Sequence, residues 1–142
     1  MNRQIIFRGK RFDNSEWIVG DLVENQGRFF IYHATSETTI EDNDDCKIAV
    51  IAVEVNPATV GQFTGLLDKN GKEIYEGDRV NVVQAERNFD IVVKWSNEAM
   101  AFMACYADGK QSPFSWFTNL QVYQLTVIGN IYDNPSLISD KQ

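Results

Sequence analysis

Glycine beside lysine can cradle phosphate, and the stretch DKNGKEIYEGDRVNVV, Asp68 to Val83, holds Gly71-Lys72 with a further glycine at Gly77. A P-loop spaces its glycines by four residues and follows the second with Lys and Ser/Thr, whose hydroxyl reaches magnesium. Here five residues separate Gly65 from Gly71, and Glu73 follows Lys72. A carboxylate at that point repels phosphate and supplies no hydroxyl. DKNG reads instead as a tight turn, in which Asp caps its own backbone and Gly supplies a positive φ. EGD ahead of RVNVV reads as a bend or bulge leading into a strand.

The remaining chemistry-bearing types are sparse. His33 is the single histidine, so any Ser-His-Asp or Cys-His mechanism must use it. It sits at the end of the predicted strand RFFIYH, with no Gly-x-Ser-x-Gly elbow in the chain and no catalytic signature around either cysteine. Zinc would need Cys46, Cys105, His33 and a carboxylate at spacings no finger uses. EDNDD, Glu41 to Asp45, fails as a calcium loop: counted from Asp42, position six is Lys47 instead of Gly and position twelve is Val53 instead of Glu. Nothing selects a catalytic pair among the 20 acidic residues. The expectation is therefore no catalytic residue, no metal and no cofactor, with both cysteines as reduced thiols.

One cluster suits binding. Arg3, Arg8, Lys10 and Arg11 interleave with Phe7 and Phe12 ahead of any acidic residue, a pattern that stacking platforms for single-stranded nucleic acid share. Positive residues on an edge strand give the same pattern while discouraging aggregation. A formal charge of −7 opposes a nucleic-acid footprint. Together with Trp17, Trp116 and Phe117, aromatics that can anchor a partner, these cations form the candidate interaction surface.

The elements that must position these groups are strands. Alternation of period two and clusters of β-branched and aromatic residues dominate, with no long helical stripe. Strands are predicted at Ile5–Arg8, Trp17–Val23, Arg28–His33, Lys47–Val55, Gln62–Leu67, Asp78–Gln84, Asp90–Trp95, Ala101–Tyr106 and Leu125–Ile131. Turns fall at Asp13–Ser15, Asn25–Gly27, Asp68–Gly71, Glu86–Asn88 and Asp108–Gly109, and ATSETTIEDNDDC reads as an acidic surface loop. Asn56-Pro57 opens a short helical turn that Gly61 ends, and SPFSWFTNL holds another single turn. The division is an N-terminal antiparallel β unit, 1–56, and a β-barrel unit, 57–142, or one continuous fold. The longest apolar run, IAVIAV, is far short of the about 20 residues that span a bilayer, and the first residues lack the apolar region of a secretory leader. A cytoplasmic, membrane-free protein is expected.

Two segments share an order: DNSEWIVGDLV and DKNGKEIYEGDRV each run from a turn Asp through an aromatic to Gly-Asp-x-Val. Turn chemistry reached twice explains the match as well as duplication does. With FRGKR, EWIVGDLV, ATVGQFTGLLDKNGKEIYEGDRV and VIGNIYDNP, the chain resembles the YopX family of phage and prophage proteins from Ile5 to about Leu137. The resemblance implies a small SH3-like β-barrel encoded by phages or prophages of bacteria, with no established activity and no catalytic residues to transfer. Gly20, Gly61, Gly65, Gly71, Gly77 and Gly129 are assigned to backbone geometry, Gly20-Asp21 and Gly77-Asp78 as strand starts. The expected role is a non-enzymatic module contacting protein, either itself or a host or phage protein. The alternatives are nucleic-acid binding through the basic N-terminal strand and an enzyme with a carboxylate-lined pocket.

Overall fold

The structure, a computed structural model, describes residues 2–39 and 48–133, with side chains described for residues 2–33 and 50–133. Strands follow one another as β1 Phe7–Lys10, β2 Trp17–Asn25, β3 Arg28–Thr39, β4 Ile48–Val55, β5 Gly61–Leu67, β6 Glu73–Tyr75, β7 Asp78–Gln84, β8 Arg87–Ser96, β9 Ala101–Cys105, β10 Gln111–Pro113 and β11 Gln124–Asn130. Helix among the described residues is confined to 3-10 turns at Pro57–Thr59 and Phe114–Phe117. The expected all-β class holds, as two antiparallel sheets of order β4-β3-β2-β1-β5-β6 and β10-β9-β8-β7-β11. The closed barrel does not. Among the described residues no ladder joins β10 to β11. β10 is three residues long, ends at Pro113 with no N–H to donate, and runs directly into a 3-10 turn.

The chain forms two compact units, Met1–Gln62 and Phe63–Gln142. In the first, β2 and β3 make a hairpin across Asn25 and Arg28, with Gln26 and Gly27 both at positive φ, the backbone a two-residue hairpin turn demands. Ile18, Ile31 and Val55 form its core with Phe7, Leu22 and Phe29 against them. Gly20 lies in the middle of β2 and does not start a strand. Its hydrogen stands where a methyl would meet the Tyr32 carbonyl oxygen at 2.1 Å, so close approach of β3 excludes a side chain. β3 also runs past His33 to Thr39, through residues expected in a loop. Thr is β-branched and fits a pleated surface, and Thr39 pairs with Ile48. The acidic stretch 41–45 and Cys46 lie outside the described residues. The Asn56 turn forms as expected, with the Asn56 side chain accepting from Ala58 N–H at 3.0 Å.

In the second unit, alternation along β7, β8 and β9 sends Val80, Val82, Ile91, Val93 and Ala104 into one core with Ile74, Phe114, Phe117 and Leu125. Each large apolar side chain buried there contributes about 1.5–3 kcal/mol. β8 begins at Arg87, ahead of the expected Asp90, because Ala85 adopts φ +52 and Gln84 pairs Arg87 across a two-residue turn. The two glycines of the opening stretch turn the chain. Gly71 N–H donates to the Asp68 carbonyl at 3.0 Å, and Gly77 N–H donates to the Val93 carbonyl at 2.7 Å. Both amides are used inside the fold.

Candidate functional site

The basic N-terminal residues are brought together by β1 and β2, but largely for one another. Lys10 pairs with Trp17 and Arg8 with Val19 across the ladder. The Arg8 guanidinium lies 4.6 Å from the centre of the Trp17 ring, and the Lys10 ammonium 5.6 Å from it, inside the range of cation–π attraction. Arg8 is itself buried. Arg11 makes a two-pronged contact with Asp13, Nε to Oδ1 at 2.8 Å and Nη2 to Oδ2 at 2.6 Å. That bond and the attraction of the pair raise the Arg11 pKa and lower that of Asp13. Arg3 is exposed. The cations thus sit at a tryptophan and an aspartate of their own unit. Trp116 is 63% exposed, whereas Phe117 is 3% exposed and belongs to the core, in edge-on contact with Tyr123 at 5.0 Å. Phe117 therefore leaves the candidate surface.

A different group of residues lines a cleft of about 620 Å³ in the second unit. Its origin is the strand period. With Val80, Val82, Ile91 and Val93 turned to the core, the side chains of Arg79 and Asn81 on β7 and of Asp90, Val92 and Lys94 on β8 must stand on the opposite face. The ladder sets Asn81 opposite Asp90 and Arg79 opposite Val92, and Val92 opposite Cys105 of β9. Phe89 and Tyr106 border the cleft, but their rings, 5.9 Å apart, turn to the core side, where Phe89 meets Phe117. Asn81 Nδ2 donates to Asp90 Oδ1 at 2.8 Å and to Asn88 Oδ1 at 2.6 Å, which fixes both side chains.

Arg79 is the unusual member. It is 4% exposed, and its Nε and Nη2 atoms are buried with no acceptor in reach. Burial alone lowers its pKa, yet a guanidinium keeps its proton in any protein. Cys105 supplies a thiol to the same cleft. Burial pushes its pKa up, against the opposing pull of the Lys94 charge, so the thiol form prevails and its nucleophilicity is low. Lys94 is exposed and lines the cleft as well.

His33 is exposed in the first unit, its Nδ1 2.7 Å from the Val19 carbonyl. Among the described residues no three His, Cys, Asp or Glu side chains gather where they could hold a metal ion, and no helix is long and apolar enough to cross a membrane. Sequence reasoning passed over Arg79, Asn81, Lys94 and Cys105 as ordinary strand residues. A signal was present in Arg-Val-Asn-Val, where polar and apolar residues alternate over β7. That pattern marks a polar face, without marking the face as concave or its arginine as buried.

A family model described as YopX protein matches residues 6–139. Among solved structures, the chain is similar to protein EF1440 from Enterococcus faecalis, at 20% identity over 96% of this chain and 99% of that one, with a TM-score of 0.53. That likeness is one of fold. Comparison with curated proteins finds no match.

Proposed function

The chain belongs to the YopX family, and from that premise we propose that it is a non-enzymatic interaction module, serving a phage or prophage in the cytoplasm of a bacterial host, that takes up an extended segment of another polypeptide along β4. One observation carries the reading. β4 is the outermost strand of its sheet. At its C-terminal end Arg11 bridges Val55 and Phe12 N–H donates to the Glu54 carbonyl at 3.3 Å, but no described strand borders residues 48–53, where both Val50 and Ile51 are exposed, at 51% and 44%. Successive strand residues face opposite ways, so both faces of this edge offer apolar surface.

Edge strands are ordinarily blunted by lysine, proline or a bulge, because their unpaired N–H and C=O groups invite another strand. IAVIAVEV carries a single charge, Glu54. Arg28 already holds that carboxylate, Nη2 to Oε2 at 2.7 Å. An incoming strand therefore meets no repulsion, gains main-chain hydrogen bonds, and can seat side chains against Val50 and Ile51, the logic of β-augmentation. Exposed Trp116 is a further anchor on the second unit. The 3-10 turn after β10 and the register shift in β11 support reading that unit as an open relative of the SH3-like barrel.

The test places a photo-crosslinking residue at position 50 of the full chain in nuclease-treated bacterial extracts. A discrete protein adduct that disappears in the I51K variant is expected, with light scattering on the purified chain deciding whether the partner is a second copy. No adduct above background, or one that I51K leaves intact, overturns the reading.

A further inference from the structure

The geometry points to a ligand site in the second unit: the β7–β9 cleft binds a small organic oxyanion, a carboxylate or phosphate carried on an apolar ring, with Arg79 as its charge partner. Neither the family match nor the β4 edge assigns this site.

Three observations converge on it. Buried charges in folded proteins are paired, yet Arg79 is 4% exposed and two of its guanidinium nitrogens find no acceptor. Neighbouring carboxylate does not serve those nitrogens: Asp90, diagonal to Arg79 on the ladder, takes the Asn81 amide. On the other diagonal stands Lys94, a second cation and not a counter-charge. The cleft thus presents two positive groups on one sheet face, beside the carboxylates of Asp90 and Asp108, and the Arg79 guanidinium is desolvated and therefore strongly attractive to an anion.

The size and walls set the class of ligand. A volume of about 620 Å³ lies inside the roughly 300–1,000 Å³ that small-molecule sites occupy. Val92, Cys105 and Ala107 offer apolar contact that a bare inorganic ion cannot use. The guanidinium fork matches two oxygens of a carboxylate or phosphate at once. An oxyanion on an aromatic or aliphatic body satisfies both parts of the cleft, and either a carboxylic acid or a phosphate ester supplies it.

The experiment uses the full chain carrying C46S, in which Cys105 is the one remaining thiol. Phenyl phosphate, benzoate, inorganic phosphate and uncharged benzamide are titrated by calorimetry, and protection of Cys105 from a thiol reagent is followed in parallel. Saturable binding of phenyl phosphate or benzoate at millimolar or lower concentration is expected, weaker by about tenfold or more in R79M, about 1.4 kcal/mol. Inorganic phosphate should bind more weakly than phenyl phosphate, and benzamide should not compete. Which of the two charged ligands binds tighter tells phosphate from carboxylate. Because R79M alters a buried site, K94Q at an exposed position and the Cys105 protection in the unaltered cleft give independent readouts. K94Q should weaken binding several-fold. If neither charged ligand binds or protects Cys105, if benzamide does as well as they do, or if folded R79M binds them undiminished, the site is not one for oxyanions.

Discussion

The Asp68 carboxylate reaches Val127 across the second unit: its Oδ2 accepts the Val127 N–H at 3.0 Å, while Oδ1 accepts the N–H groups of Asn70 at 2.8 Å and Lys72 at 2.9 Å. One side chain thereby closes the DKNG turn and ties it to β11. Burial pushes this carboxyl up, but the three backbone donors and the Lys72 charge together outweigh it and leave the pKa below its ordinary value. A depressed folded-state pKa contributes stability above the unfolded value of about 3.9, lost as pH falls through the folded value. D68N replaces one acceptor oxygen by an NH₂ group facing a donor, and should cost about 1–3 kcal/mol at neutral pH. Urea unfolding followed by tryptophan fluorescence checks this. Between pH 5 and the acid limit the wild-type chain should lose more stability than D68N, and equal losses would show that Asp68 titrates alike folded and unfolded.

Gly71 and Gly77 separate two reasons for glycine. Gly71 has φ +81 and open space, with nothing within 4 Å of where a methyl would stand, whereas Gly77 has φ +92 and a methyl there would meet the Tyr132 ring at 2.7 Å. Alanine at either position incurs left-handed strain of about 1–2 kcal/mol. At Gly77 overpacking adds a further cost of about 1–3 kcal/mol. Chemical denaturation of G71A and G77A should therefore rank G77A as clearly less stable. Equal values would mean that Tyr132 swings aside freely.

Legibility in the sequence followed periodicity. Val80 and Val82 alternate with Arg79 and Asn81 along β7, and the β-branched run Ile91-Val92-Val93 marks β8, enough to announce both strands. β6 and β10 are three residues each and show no period, and Pro113 argued against a strand where only its edge position permits one. Turn chemistry located Gly71 and Asn56 correctly but missed Ala85, because nothing in an alanine advertises φ +52. The basic cluster was visible as a list of cations. That Trp17 and Asp13 occupy them is a matter of register across β1 and β2 and of a local turn, which residue types leave open. Arg79 was hidden for a similar reason: burial of a charged residue against the trend for its type is decided by tertiary packing.

Trp116 and Phe117 are adjacent and opposite in burial. F117A removes a ring that packs on Phe114, Phe89 and Tyr123 and should destabilise the chain by about 3–5 kcal/mol. W116A, at an exposed position, should stay within about 0.5 kcal/mol of the wild type. Thermal unfolding of the two variants measures the contrast. A large loss in W116A would assign that indole to packing and remove it as a partner anchor.

Replacing Arg79 with methionine should stabilise the chain in anion-free buffer. The guanidinium keeps its charge while two of its nitrogens lack acceptors in a desolvated place, so the folded state carries a penalty that a methionine of similar length avoids. Exchanges of buried charge for well-packed apolar side chains have been neutral or stabilising by about 1–4 kcal/mol, and R79M belongs in that range. Anion reverses the order. A ligand present at about 100 times its dissociation constant adds about 2.7 kcal/mol to a chain that binds it and nothing to one that does not. Unfolding curves of both chains, without and with saturating phenyl phosphate or benzoate, should accordingly show the wild type overtaking or closing on R79M. A variant that is less stable than wild type in anion-free buffer would mean that Arg79 packs favourably as it stands, with no unmet demand for a counter-charge.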